Sequence, residues 1–311
     1  MLSVKHLIDT YSLTADDITQ ILDTAASFES VNNRAIKKVP ALRGRTIVHL
    51  FLEPSPRTKS SFELAEKRQT ADSLSMGGST SSVVKGESLA DTIQTISAMN
   101  VDMFVCRAKL AGTPQRITEN TDAVVINAGD GKHQHPTQAM LDLYTIRKNF
   151  GHLDGLKVAI VGDLAHSRVC GSLAPALKTM GAEVTLVGPP TFQVDAPDWF
   201  GCPQTASLDD VIEDMDVVYM LRVQLERMEG AAIPSRREYN RLYGLDMTRV
   251  NRMKPGAIIC HPGPMNRGME INADVADCAR SRILNQVNAG VLTRMAEMYL
   301  LLGGENNGLS A

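Results

Sequence analysis

Short apolar runs alternate with amphipathic segments along the chain, and this alternation predicts its secondary structure. β-Branched apolar runs predict strands at 46–52, 101–106, 123–127, 157–161, 183–187, 217–221 and 257–260. Apolar residues at helical spacing predict helices at about 14–25, 61–68, 89–99, 114–119, 133–148, 167–180, 207–213, 236–243, 246–252 and 289–302. Strands that alternate with helices predict an α/β fold with parallel sheets flanked by helices.

A domain boundary is predicted where two glycines interrupt this pattern. Gly151 and Gly155 separate a long predicted helix from a new buried strand. A chain of 311 residues is long enough for about two domains. We therefore expect a first domain over 1–150 and a second over 151–285, with the last helix lying beyond the second.

Composition and charge exclude several classes of protein. The chain is 43% hydrophobic and 22% charged, with a formal net charge of −3 and no long basic run, so neither a nucleic-acid nor a membrane partner is expected. No stretch approaches the length of a membrane span, and residues 1–11 lack a signal-peptide pattern. The five cysteines are never spaced as CxxC, which fits a reduced, cytoplasmic protein.

The block from Glu53 to Glu63 follows the first predicted strand and opens a helix. Its first turn combines Ser55, Arg57 and Thr58 with the unpaired N–H groups and positive dipole of a helix N-terminus. Such a turn suits a phosphate group. The alternative is an ordinary helix start, in which Ser55 is the N-cap and Pro56 occupies the first helical position.

Polar and cationic residues follow one predicted strand after another. In open α/β sheets, ligands bind at the carboxyl ends of the strands. Any single arginine at such an end has a solvated surface position as its ordinary alternative, but a series of them favours a site for anions. The residues are Arg57, Arg107, His135, Arg168, Arg222 and His261.

Other kinds of chemistry have weaker support in the sequence. Gly162 ends a strand as in a dinucleotide-binding turn, but the further glycines of that pattern are missing. His133 and His135 lack neighbouring ligands that would complete a metal site, and there is no Gly-x-Ser-x-Gly elbow. We expect neither a metal nor a covalent intermediate.

Several blocks together resemble a known family. Ser55 to Glu63 resembles the phosphate-binding signature of the carbamoyltransferases, and further matching blocks follow in the same order along nearly the whole chain. The Arg-Val-Gln-x-Glu-Arg block at 222–227 is similar to the aspartate carbamoyltransferases and differs from the His-Cys-Leu-Pro block of the ornithine enzymes. The other matching blocks are 85–92, 135–138, 163–168 and 261–264.

The resemblance implies transfer of a carbamoyl group from carbamoyl phosphate to L-aspartate, an early step of de novo pyrimidine biosynthesis, without a cofactor. It implies a carbamoyl phosphate domain over 1–150, completed by the C-terminal helix over 286–311, and an aspartate domain over 151–285. In a homotrimer, Ser81 and Lys85 would reach the site of a neighbouring chain. The carbamoyl phosphate residues implied are Ser55, Arg57, Thr58, Arg107, His135, Gln138, Gly263 and Pro264, of which Arg57, Thr58, Arg107 and His135 would be catalytic; those for aspartate are Lys85, Arg168, Arg222 and Gln224.

Three residues depart from the family pattern. Pro56 replaces a threonine, which removes a hydroxyl and an N–H from the phosphate turn. Ala108 stands where a histidine is common, and Gly263 where a larger apolar residue often stands. The alternatives are an inactive carbamoyltransferase-like scaffold and an enzyme for another amino acid such as ornithine. Regulatory chains or a dihydroorotase-like partner enzyme are left open.

Overall fold

The computed structural model describes residues 2–77, 88–194, 201–224 and 235–303. The chain divides into two compact units. Unit 1 comprises Met1–Tyr144 with Ala289–Ala311, and unit 2 comprises Thr145–Asn288. The domain ranges expected from the sequence stay a prediction.

Unit 1 is built on a four-stranded parallel sheet in the order β2-β1-β3-β4. β1 is buried at five of its six positions, as expected for a strand with helices on both faces. The strands are β1 (Thr46–Phe51), β2 (Asp72–Gly77), β3 (Met103–Ala108) and β4 (Val124–Asp130). The helices are α1 (Ala15–Ser27), α2 (Glu29–Asn32), α3 (Pro56–Gln69), α4 (Leu89–Ser97), α5 (Thr113–Thr118) and α6 (Pro136–Phe150), the last of which ends in unit 2.

Unit 2 contains a five-stranded parallel sheet in the order β7-β6-β5-β8-β9. Ala159 of β5, Val218 of β8 and Ile259 of β9 are fully buried in one apolar core. The strands are β5 (Lys157–Val161), β6 (Glu183–Val187), β7 (Gln204–Thr205), β8 (Val217–Met220) and β9 (Ile258–Cys260). The helices are α7 (Arg168–Thr179), α8 (Arg236–Tyr243), α9 (Met247–Arg252), α10 (Ala273–Ala276) and α11 (Ile283–Leu301), whose residues from Ala289 onward belong to unit 1.

The fold class expected from the sequence is confirmed, including the C-terminal helix that returns to unit 1. The start of α1 is also as predicted: the Thr14 side chain accepts from the backbone N–H of Asp17, and Asp17 bonds back to the Thr14 backbone in a capping box.

Several predicted elements were wrong or displaced. The segment 207–213 was predicted as a helix, but only a short 3₁₀ turn at Ile212–Asp214 forms there. β2 was missed because its sequence, with two serines and an aspartate, has little intrinsic strand preference. α3 begins five residues before the predicted start, and β4 continues to Asp130, three residues beyond the predicted end of that strand.

Three further properties of the described residues concern membrane spans, metal sites and disulfides. None of the helices described here is long and apolar enough to cross a membrane. Within the same residues, no three His, Cys, Asp or Glu side chains lie close enough together to hold a metal ion. All five cysteines are free thiols.

Candidate active site

Each sheet has one point where the chain order of its strands reverses. In unit 1 this point lies between β1 and β3, because β2 pairs on the other side of β1. In unit 2 it lies between β5 and β8, because β6 pairs on the other side of β5. Ligands of open α/β sheets bind at the carboxyl ends of such strand pairs. In each unit, the predicted site residues lie at the end of, or after, the strands that meet at this point or pair with those strands.

The turn between β1 and α3 carries Ser55, Arg57 and Thr58. Ser55 is the N-cap residue and Pro56 takes the first helical position, but the Ser55 side chain makes no capping hydrogen bond. Arg57 is exposed, and Ser55 and Thr58 are half-buried. The hydroxyl of Ser55 is therefore not used to cap its own helix, which is the role that the ordinary helix start would give it.

Arg107 is held in place by three neighbouring groups. It lies within β3, opposite Phe51 of β1, and not after the strand as predicted. Its Nε donates to Oε1 of Glu53 at 2.6 Å, and its Nη1 donates to the carbonyl of Ala128 at 2.9 Å. The same Nη1 lies 3.3 Å from Nε2 of His135. Fixed donors of this kind suit an anionic group at the end of the sheet.

His135 and Gln138 lie at the beginning of α6, after β4. His135 is only 5% exposed, and its Nδ1 lies 3.4 Å from the Thr137 hydroxyl. Gln138 is also buried, and its amide donates to Oδ1 of Asp142 at 3.0 Å. Since this bond engages the amide nitrogen, the amide oxygen of Gln138 faces away from Asp142 as an acceptor.

Arg168 and Arg222 follow β5 and β8, which are neighbours in the second sheet. Gly162 lies between β5 and Arg168 with φ of 132°, a conformation that favours glycine. A Cβ at this position would lie 3.2 Å from the Cβ of Leu221, so glycine also permits the close approach of the two strand ends. The packing thus brings the segments that carry both predicted aspartate-binding arginines to one edge of the sheet.

The loop after β9 carries Gly263 and Pro264. Gly263 has φ of 63°, so the departure from the larger residue of the family has a conformational reason. The Gly263 N–H donates to Nδ1 of His261 at 2.8 Å, and Nε2 of His261 lies 3.2 Å from Oε1 of Glu270. The buried pair of His261 and Glu270 therefore holds the backbone of this loop in place.

Some predicted residues lie outside the described ranges, and other contacts were missed. Ser81 and Lys85 belong to the segment 78–87, which the structure does not describe. No role was predicted for Glu53, although a carboxylate next to that turn is a natural partner for an arginine. Glu270 could not be found from sequence, because its partners lie in other segments.

Cysteine chemistry is unfavourable at both sheets. Burial raises the pKa of the Cys106 thiol, and the negative charge of Asp130 adds to the effect. Burial likewise raises the pKa of Cys170, with further contributions from Cys202 and Asp163. Neither thiol is therefore present as the nucleophilic thiolate near neutral pH.

Two family models match the chain one after the other, and the second includes most of the C-terminal helix that belongs to unit 1 in the structure. Residues 5–148 match the model of the aspartate/ornithine carbamoyltransferase carbamoyl-P binding domain, and residues 154–301 match that of the Asp/Orn binding domain. The chain belongs to the aspartate/ornithine carbamoyltransferase family.

Similar proteins in this family include enzymes named for aspartate. The aspartate carbamoyltransferase catalytic subunit of Thermobifida fusca is 53% identical over 301 residues, which cover 97% of this chain and 96% of the relative. The subunit of Syntrophotalea carbinolica is 50% identical with the same coverage.

Solved structures agree with this comparison. The catalytic subunit of M. jannaschii aspartate transcarbamoylase matches with a TM-score of 0.84 and 35% identity, over 98% of this chain and 100% of the other. The Trypanosoma cruzi enzyme in complex with N-(phosphonacetyl)-L-aspartic acid matches with a TM-score of 0.86 and 29% identity, over 96% of each chain.

Proposed function

We propose that this chain is the catalytic chain of an aspartate carbamoyltransferase. It transfers the carbamoyl group of carbamoyl phosphate to the α-amino group of L-aspartate, and the products are N-carbamoyl-L-aspartate and phosphate. One observation carries the proposal: arginines lie where the chain order of the strands reverses in each sheet. They are Arg107 in unit 1, and Arg168 and Arg222 in unit 2. The names of two relatives that are 53% and 50% identical to this chain also support L-aspartate as the acceptor.

The phosphate is held by Ser55, Arg57, Thr58 and Arg107. The first turn of α3 offers backbone N–H groups and a positive dipole, and the Ser55 hydroxyl makes no competing cap. Arg107 adds a planar guanidinium, which can bind two oxygens of one phosphate. Substrate binding would compete with Glu53 for this guanidinium.

The reaction is direct attack of an amine on a carbonyl carbon. The lone pair of the aspartate nitrogen forms the new C–N bond, and the carbonyl oxygen gains negative charge. The C=O bond then re-forms as the C–O bond to phosphate breaks, and the leaving phosphate takes the proton that the amine loses. Thr58, Arg107 and His135 face that oxygen, and donors aimed at a developing oxyanion contribute about 3 kcal/mol each. Gln138 and the carbonyls of Gly263 and Pro264 hold the carbamoyl nitrogen.

Aspartate is held by Arg168, Arg222 and Gln224, with Lys85 from a neighbouring chain. Both substrates are anions, and two unit charges 4 Å apart repel each other by about 1 kcal/mol in water. Several cations are therefore needed around them. We place the working unit as a homotrimer in which Ser81 and Lys85 complete the site of the next chain, and a larger assembly with regulatory or partner-enzyme chains is compatible with it.

We propose that the reaction belongs to pyrimidine biosynthesis and takes place in the cytoplasm. Five free thiols fit a reducing compartment. Neither a cofactor nor a metal is needed for the steps above, because the charges are met by arginine, lysine and the helix N-terminus.

One assay tests the activity and its acceptor together. The purified protein is incubated with carbamoyl phosphate and an equal mixture of L-aspartate and L-ornithine, and both products are quantified by mass spectrometry. We expect N-carbamoyl-aspartate in large excess. Citrulline as the main product would overturn the choice of acceptor, and no product at all would favour the inactive scaffold.

A matched pair of variants ties the activity to the site. Arg107→Ala should lose nearly all activity, whereas Arg116→Ala should keep it, since Arg116 is an exposed arginine on α5 of the same unit. Equal activity of the two variants would show that Arg107 is not part of the site.

A further inference from the structure

A chain of hydrogen bonds in unit 2 connects the loop after β9 to the segment after β8. The backbone N–H of Asn266 donates to Oε1 of Glu270 at 2.6 Å. The side-chain amide of Asn266 donates to the backbone carbonyl of Val223 at 3.1 Å. Two segments that carry predicted substrate contacts are thus joined through a single asparagine.

The same oxygen of Glu270 also holds His261. The Gly263 N–H can only donate, so Nδ1 of His261 is an acceptor and the ring proton is on Nε2. Nε2 then donates to Oε1 of Glu270 at 3.2 Å. One carboxylate oxygen therefore fixes both His261 and Asn266, at the two ends of the Gly263–Pro264 loop.

Val223 is held from two sides. Its side chain is fully buried in an apolar cluster with Phe192, Tyr239 and Met269. Its carbonyl is held by Asn266. Because Arg222 and Gln224 are its immediate neighbours in the chain, the position of Val223 sets where their side chains begin.

The hydrogen bonds to Asn266 and His261 explain why a carboxyl group is buried at Glu270. Its side chain is fully buried, and within the described residues its second oxygen, Oε2, has no hydrogen-bond partner. A buried carboxyl group with an unused oxygen is costly for folding. An apolar residue would avoid that cost but could not accept from Asn266 and His261.

We propose that Asn266 and Glu270 are positioning residues for the substrates. Asn266 holds the backbone of Val223 in place. It thereby positions the neighbouring side chains of Arg222 and Gln224 to bind aspartate. Glu270 holds both that link and the loop whose carbonyls contact the carbamoyl group. The proposal rests on the proposed function, and it assigns roles to two residues that touch neither substrate.

Four variants test this division of roles: Asn266→Ala, Glu270→Ala, Glu270→Gln and Asn240→Ala. Asn240 is the control, because its amide makes two hydrogen bonds in the same unit, to the Met269 carbonyl and to Asn272, and neither bond involves residues 222–224. Each protein is assayed for KM of both substrates and kcat, and its melting temperature is measured.

Loss of the Asn266 bond should raise the KM for aspartate about tenfold and leave the KM for carbamoyl phosphate within about twofold. Glu270→Ala should raise both KM values, and Glu270→Gln should remain close to wild type because its amide oxygen can still accept. Asn240→Ala should lower the melting temperature with unchanged KM values.

Different outcomes overturn different claims. If Asn266→Ala and Asn240→Ala change the KM for aspartate equally, or if Asn266→Ala changes neither KM, the positioning role is wrong even though the enzyme is active. If wild-type protein forms no carbamoyl-aspartate, the proposed function fails and the positioning role fails with it. Should Glu270→Ala not fold, the Asn266→Ala result decides alone.

Discussion

Arg107 donates through Nη1 to Nε2 of His135 across 3.3 Å, although 28 positions separate the two residues in the chain. A guanidinium group cannot accept, so Nε2 of His135 is the acceptor and the ring proton belongs on Nδ1, beside the Thr137 hydroxyl. Two groups expected at one carbonyl oxygen are therefore in contact with each other. Carbamoyl phosphate that engages Arg107 would release Nε2, and a shift of the ring proton from Nδ1 to Nε2 would then let His135 donate to the carbonyl oxygen.

Replacing His135 should affect the chemical step more than binding. In His135→Ala we expect kcat to fall about 100-fold, since one donor to the developing oxyanion is lost. The KM for carbamoyl phosphate should change less than in Arg107→Ala, because the phosphate keeps its own ligands. Steady-state kinetics check this, with His133→Ala as control, a half-exposed histidine paired with Asp130. A large rise in KM with unchanged kcat would assign His135 to binding alone.

Restoring the missing donors at position 56 should strengthen phosphate binding. Pro56 occupies the first position of α3, where it supplies neither an N–H nor a hydroxyl. Pro56→Ala restores the N–H and Pro56→Thr restores both groups, so Kd for carbamoyl phosphate should fall stepwise, by about three- to tenfold in the threonine variant. Calorimetric titration measures it. Identical Kd values in all three proteins would mean that position 56 does not face the phosphate.

Arg222 should act on one substrate only. Arg222→Ala should raise the KM for aspartate by about 100-fold or more while Kd for carbamoyl phosphate stays nearly constant, because only one anion loses its partner. Arg241→Ala, an exposed arginine of α8, should behave as wild type. Equal loss of affinity for both substrates would show that the assignment of Arg222 is wrong.

The shared site predicts complementation between two inactive proteins. Arg57→Ala and Lys85→Ala chains are unfolded together, refolded and assayed. If Lys85 serves the next chain, some sites of mixed trimers combine an intact Arg57 with an intact Lys85, and a substantial part of the activity returns. Mixed trimers seen by native mass spectrometry but devoid of activity would instead place Lys85 in the site of its own chain.

The buried carboxyl group of Glu297 should make stability fall with pH. Burial raises the pKa of Glu297 well above its ordinary value of 4.5, while the charge of Arg294 opposes the shift. Below pH 4.5 both the folded and unfolded chains carry the proton. As the pH rises further, only the unfolded chain releases it, so stability is lost at up to about 1.4 kcal/mol per pH unit until the folded pKa is reached.

Glu297→Gln should remove this loss, because an amide does not titrate. Its denaturant midpoint should match that of wild type near pH 4 and exceed it increasingly toward pH 8. The control is Glu119→Gln, an exposed glutamate of the same unit. A midpoint difference that does not vary with pH would show that Glu297 is ionised in the folded chain or does not matter for stability.

Local pattern was enough to predict most elements of the fold. Strands 157–161 and 183–187 were predicted to the residue, because short β-branched runs between glycines have few alternatives. The block around Arg57 was recognised because its chemistry is contiguous in the chain. Strand β2 was not predicted, because its residues form a strand only by pairing with β1.

The order of residues was enough to identify the side chains at or after the strand ends and to show that their charges suit two anionic substrates. Tertiary structure alone decided which strand ends are neighbours. β3 pairs with β1 and β8 with β5, so Arg107 lies beside the turn that carries Arg57, and Arg222 and Arg168 follow two strands that are neighbours. The contacts of Glu53 with Arg107 and of Glu270 with Asn266 follow from those pairings. The physical reason is that helical and strand periodicity is set by residues a few positions apart, whereas strand order is set by packing between segments that are distant in the chain.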